Sequence, residues 1–278
     1  MSLSSKEVTA QRRPKSRWSC GLDYTARGVL LAEWAGTALL VLLSCLPACA
    51  GAPQYARAGA AGLAVALLVQ CFDHISGAMF NPTVLLAAML TRRVAPGLGA
   101  GMFGAQLLGA ATGTGLLRLL APGSDAADLC LTLPMDTLSV YKAVCIEAVL
   151  GGLLALANMA SWDPRNRLLA DSWPLRIGLS VAGLSIIAGP LTGASMNAAR
   201  SFGPALWTGN WDHHWIYWVG PLSGSLLCTL VYRRIWAVDG TPPARAAPDV
   251  TAAFPLRRER VSRDPAVERE SKKTHYSV

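Results

Sequence analysis

Charge is scarce in this chain. Asp, Glu, Lys and Arg make up 15% of its 278 residues, against 52% hydrophobic ones, whereas a soluble domain carries about 25% charge. The mean hydropathy is +0.35. Most of the charge gathers in residues 1–27 and 237–278, and the middle is nearly bare. This excludes an ordinary soluble domain. It predicts an N-terminal tail over 1–27, a membrane domain over 28–236 and a disordered C-terminal tail over 237–278.

Other absences narrow the function. No Asn-X-Ser/Thr acceptor remains, because Asn81 is followed by Pro82. The first 27 residues are too polar for a signal peptide. The seven cysteines show no metal-ligand spacing, and Cys45 and Cys49, one helical turn apart, read as packing. No nucleophile–base pair stands out. Neither catalytic residues, nor a metal, nor a cofactor is expected, and the chain is not expected to be an enzyme.

The net charge of +8 does not point to nucleic acid, because of where it lies. Basic residues sit in the N-tail, at Arg92 and Arg93, at Arg165 and Arg167, and from Arg233 onward. The intervening loops are poorer in them and carry Asp125, Asp128, Asp136 and Asp212. That alternation predicts an even number of spans with both termini cytoplasmic, most simply in the plasma membrane.

Turning to what is present, six apolar runs approach the ~20 residues a spanning helix needs: 28–50, 56–76, 98–120, 138–160, 175–190 and 213–236. Two shorter stretches, 81–90 and 197–207, begin at Asn81 and Asn197 and are too short to span. The chain also repeats. His74 to Thr83 resembles Thr192 to Arg200, and Glu33 is matched by Glu147. The unit is three spans plus a half-helix, over 28–120 and again over 138–236. Three is odd, so the second copy is inverted and the half-helices enter from opposite faces.

An intramembrane polar group needs a reason. Each Asn can cap its half-helix through its oxygen and present N–H donors to a passing hydroxyl. The positive ends of both half-helices then repel cations, protons included. These segments resemble the aquaporin family (major intrinsic proteins): Ile75-Ser76-Gly77-Ala78 before Asn81-Pro82-Thr83, and Thr192-Gly193-Ala194-Ser195-Met196-Asn197-Ala198-Ala199-Arg200. Ala32-Glu33, Ala105-Gln106 with Gly109, and Trp215 to Pro221 match as well. The resemblance implies an all-α membrane protein of six tilted transmembrane helices and two half-helices. It also implies one pore per subunit and a homotetramer in the lipid bilayer, with water and small uncharged solutes as cargo.

Two departures from the family pattern matter. Asn-Pro-Ala becomes Asn81-Pro82-Thr83 and Asn197-Ala198-Ala199. Ala198 lacks the preset φ of proline, so the second half-helix is expected to start less firmly. The family's selectivity constriction falls, counting from these motifs, on Ala61, Ser185, Ala194 and Arg200. Water-selective relatives carry an aromatic and a His at the first two positions. Small residues there imply a wider aperture passing glycerol and urea as well as water, with Arg200 as the fixed donor. Ser201, Ala205, Tyr217 and Trp218 look like the water-channel branch, so the whole resembles an entomoglyceroporin-type aquaglyceroporin.

Glu33 and Glu147 read as structural buried acids holding the loops before the half-helices; a proton relay is the other reading. His74 reads as a loop anchor or a pH sensor. In the C-tail, Ser262 follows three arginines, and Tyr276-Ser277-Val278 could dock through its carboxylate. The competing functions are a water-selective channel, a secondary transporter coupled through Glu33 and Glu147, and a non-conducting membrane scaffold.

Overall fold

The computed structural model describes residues 24–122 and 128–237. Ser262, the Tyr276-Ser277-Val278 terminus, most of the N-tail and Asp125 lie outside the described residues.

The described chain forms α1 (Tyr24–Cys49), α2 (Gln54–Ser76), α3 (Pro82–Leu90), α4 (Pro96–Leu120), α5 (Val140–Trp162), α6 (Trp173–Thr192), α7 (Ala198–Thr208) and α8 (Ile216–Ile235). Short 3-10 turns cover Asp128–Cys130 and Pro164–Ser172. Local sequence accounts for many of the helix ends. Pro82 and Pro96 stand in the first turns of α3 and α4, where proline's missing N–H costs nothing. Gly77 and Gly193 close α2 and α6 at φ of 81° and 79°, the left-handed region that glycine enters freely. The first helix already includes Tyr24, four residues before the expected run, because polar Thr25 and Arg27 continue the helix past its apolar part.

Small residues set the packing. Gly109 and Gly113 of α4 lie against the backbone of Trp34 and Ala38 in α1. Gly220 and Gly224 of α8 lie against α5 at Glu147 and Ala148 in the same way. Each pair joins the first and third long helices of one repeat. Between repeats, α2 packs on α6, where Gly62 and Gly178 press backbone to backbone with no room for a Cβ on either. In lipid, where apolar side chains gain little by leaving the solvent, such close backbone approach holds helices together.

Helices α1, α2, α5 and α6 are each long and apolar enough to cross a membrane. The other two long helices are diluted: α4 by glycine and Arg118, α8 by serine, Arg233 and Arg234. The outside of the bundle carries bare apolar side chains, among them Leu31 at 62%, Ile187 at 73% and Leu227 at 66% exposure. A soluble monomer does not tolerate so large an apolar surface. Tyr55, Tyr141, Trp207, Trp211 and Trp215 are exposed at one end of the bundle, the arrangement of an interfacial aromatic belt.

One sequence expectation fails. Cys45 is not simply packed beside Cys49: it forms a disulfide with Cys130, 85 residues away, tying α1 to the turn before α5. Cys49 is outside that disulfide.

Candidate functional site

The site grows from the two links that precede the half-helices, Gly77–Phe80 and Gly193–Met196. Both fold back sharply. Ala78 and Phe80 have φ of 48° and 46°, and Ala194 and Met196 have φ of 45° and 52°. These pairs are spaced as Asn81 and Asn197 are. Each such residue costs about 1 kcal/mol outside glycine, so something must hold it.

The buried acids do. Glu33 Oε1 accepts the Ser76 hydroxyl at 2.6 Å and the Met79 N–H at 3.0 Å. Its Oε2 accepts the Phe80 N–H at 2.9 Å and the Gln106 amide at 2.8 Å. Glu147 Oε1 accepts the Thr192 hydroxyl at 2.7 Å and the Ser195 N–H at 2.9 Å, and its Oε2 accepts the Met196 N–H at 3.0 Å. Both carboxylates are fully buried. The copies differ by one bond. Gly109 and Gly224 occupy matching places against their neighbours, so Pro221 stands where Gln106 stands and offers no amide.

The two asparagines meet at the centre. Asn81 Oδ1 accepts the Thr83 N–H at 2.8 Å, and Asn197 Oδ1 accepts the Arg200 N–H at 3.1 Å. Each caps its half-helix. The amide nitrogens do not both point freely outward, however. Asn81 Nδ2 donates to the Met196 carbonyl at 2.9 Å and Asn197 Nδ2 to the Phe80 carbonyl at 2.8 Å. That leaves one N–H of each side chain for anything else. Pro82, Thr83, Ala198 and Ala199 are buried behind them and do not line the central cavity.

Asn81, Asn197, Ala61, Ser185, Ala194 and Arg200 all line one cavity of about 180 Å³. Arg200 is pinned. Its Nη1 donates to the Cys130 carbonyl and to Thr132 Oγ1, both at 2.8 Å, and its Nη2 points at Cys45 Sγ, 3.7 Å away. Thr132 is held in turn by the Ser201 hydroxyl at 3.0 Å. The disulfide therefore anchors the loop that orients the guanidinium. The four expected constriction positions are joined on this wall by Gln54 and Arg57, which motif spacing did not single out. A helical wheel of α2 would have shown both on the Ala61 face.

Beyond the spans, Asp163 closes a small cluster. Arg165 pairs with it at 2.6 Å and Tyr232 donates to it at 2.7 Å, holding this carboxyl well below the usual range. Arg165 also donates to the Trp236 carbonyl, tying the α5–α6 turn to the end of α8. His214 sits among Trp211, Tyr217 and Trp218, and burial lowers its pKa.

The major intrinsic protein family model matches residues 23–232. Aquaporin-4 of Bos taurus is 42% identical over 178 residues, 64% of this chain and 55% of that protein. The human aquaporin-4 is 40% identical over the same length. The chain thus spans about half the length of these relatives. The lens fiber major intrinsic protein of Gallus gallus is 35% identical over 243 residues, 82% of this chain and 93% of that one. The solved aquaglyceroporin of Plasmodium falciparum shares the fold at a TM-score of 0.68 and 22% identity, covering 76% of this chain and 96% of its own. With an inverted pair of capped half-helices at its centre and this family match across its whole helical domain, the chain belongs to the major intrinsic protein family.

Proposed function

We propose that the chain is a passive membrane channel for glycerol, urea and similar small uncharged solutes, together with water, and not an enzyme. One observation carries this reading: the cavity that Arg200 lines also includes Ala61, Ser185 and Ala194, side chains of one or two heavy atoms. No ring narrows the passage at those positions, and a guanidinium and two asparagine amides supply donors for hydroxyl and carbonyl oxygens. Family membership supports a channel. The names of the relatives pull two ways, toward aquaporin-4 and toward an aquaglyceroporin.

The wide filter on a water-channel background matches the entomoglyceroporin type. A homotetramer would cover part of the bare apolar surface. Arg92, Arg93, Arg165, Arg233 and Arg234 cluster on the side where α1 begins and α8 ends, which supports cytoplasmic termini in a plasma membrane. A transporter reading finds little support, because Glu33 and Glu147 are fully buried and spend their acceptors on the half-helix links. The water-selective reading is the main rival.

Proteoliposomes challenged with osmotic, glycerol and urea gradients test the reading. Swelling in glycerol and urea well above empty vesicles is expected. Movement of water alone would leave the water-selective reading standing, and no movement at all would favour the scaffold.

A further inference from the structure

Among the described residues, the cavity wall carries two cations, Arg57 and Arg200, and no carboxylate. The two arginines are not equivalent. Arg200 has its Nη1 committed to Cys130 and Thr132. Arg57 is exposed, and its hydrogen bond among the described residues is made by Nε to the Ala52 carbonyl at 2.7 Å. That bond fixes the side chain and leaves the two Nη groups directed elsewhere. Gln54, three residues earlier, adds an amide to the same wall, since positions i and i+3 share a helix face.

Below these donors the wall turns apolar. Ala58 and Ala61 follow Arg57 on the same face of α2, and Ala194 lines the cavity with them. Ala61 is one turn beyond Arg57, a rise of about 6 Å. The N-termini of α3 and α7 converge on the same cavity through Asn81 and Asn197 and add positive potential. A neutral solute can accept hydrogen bonds from the Arg57 guanidinium but leaves its charge unmet. A short-chain carboxylate uses all of it, with its charge on Arg57 and Gln54 and its alkyl end among the alanines.

We infer that the mouth of the cavity on the Arg200 side is a binding site for small monocarboxylate anions, with Arg57 as the anion-binding residue. The site rests on the same cavity as the channel reading but does not require that neutral solutes cross it.

The test compares acetate with acetamide, its uncharged isostere, on the full chain in phosphatidylcholine nanodiscs at neutral pH. Acetate is expected to slow phenylglyoxal modification of Arg57, read by peptide mass spectrometry, about tenfold at saturation, and acetamide is expected to leave it unchanged. In saturation-transfer NMR the acetate methyl signal should fall about tenfold in Arg57→Gln and be largely kept in Arg57→Lys. Absence of protection in the unmodified protein overturns the inference without reliance on any variant. So does equal protection by acetamide, or an acetate signal that Arg57→Gln leaves intact. These are equilibrium readings, so a failure of glycerol flux in vesicles would overturn the channel reading and leave this one standing.

Discussion

Asn81 donates its side-chain amide to the carbonyl of the residue before Asn197, and Asn197 donates to the carbonyl of the residue before Asn81, at 2.9 and 2.8 Å. The two half-helices are thereby stitched tip to tip, each capped by one end of an Asn and tied to its mate by the other. Whatever passes between them meets the remaining N–H groups at a fixed place. A capped, cross-tied tip can hold its donors still in the absence of solute, which is what a rigid polar passage requires.

That stitch depends on the buried acids. Glu147→Gln keeps the shape of the side chain but turns one acceptor into a donor facing either the Ser195 or the Met196 N–H group. A buried donor left against donors costs about 1–3 kcal/mol, added to the positive φ at Ala194 and Met196. The variant is expected to melt several degrees lower in detergent and to lose solute flux. A melting curve and a flux assay on the same preparation check both. Glu33→Gln is expected to lose more, because Glu33 holds four donors and Glu147 three.

Solute range is expected to follow the constriction positions. Ala61→Phe combined with Ser185→His places a ring and an imidazole opposite Arg200. Glycerol flux in proteoliposomes should drop about tenfold or more, a size that steric rejection readily reaches, with water flux largely spared. Unchanged glycerol flux would move the constriction elsewhere.

The contact between Gly62 and Gly178 has no slack. A side chain at either would enter the backbone of the partner helix. Gly62→Leu is expected to destabilise the protein by about 1–3 kcal/mol, the usual cost of overpacking, and to spread the α2–α6 seam. Thermal melting reads the first effect, and gel filtration of the detergent-solubilised protein shows whether assembly survives.

Stability should also respond to pH through His214. Burial lowers its pKa in the folded protein, while the unfolded chain protonates it near the ordinary value of about 6.5. The folded state therefore binds fewer protons. Stability from this group is fully present above pH ~6.5 and is lost as pH falls through the lowered folded pKa. Melting temperatures between pH 8 and pH 5 should decline for the unmodified protein and decline less for His214→Gln. Parallel curves would assign the acid loss to other groups.

The sequence determined the architecture of this protein because membrane helices announce themselves by length and apolarity, and because a repeated motif makes inversion a matter of counting spans. It also determined which residues to look for, since Asn81, Asn197, Glu33 and Glu147 are polar groups where polarity is expensive. Spacing could not tell that Cys45 would leave its neighbour Cys49 for Cys130, since disulfide partners meet only in space. Nor could it tell that Ala78, Phe80, Ala194 and Met196 would take left-handed backbone, which their side chains disfavour and which the buried glutamates, the Ser76 and Thr192 hydroxyls and the asparagine cross-ties sustain. The sequence also put Gln54, Arg57 and Ala61 on one face of α2, but only the tertiary structure turned that face toward the cavity that Arg200 lines, because the neighbours of a helix face are set by packing between distant segments, here α2 against α6.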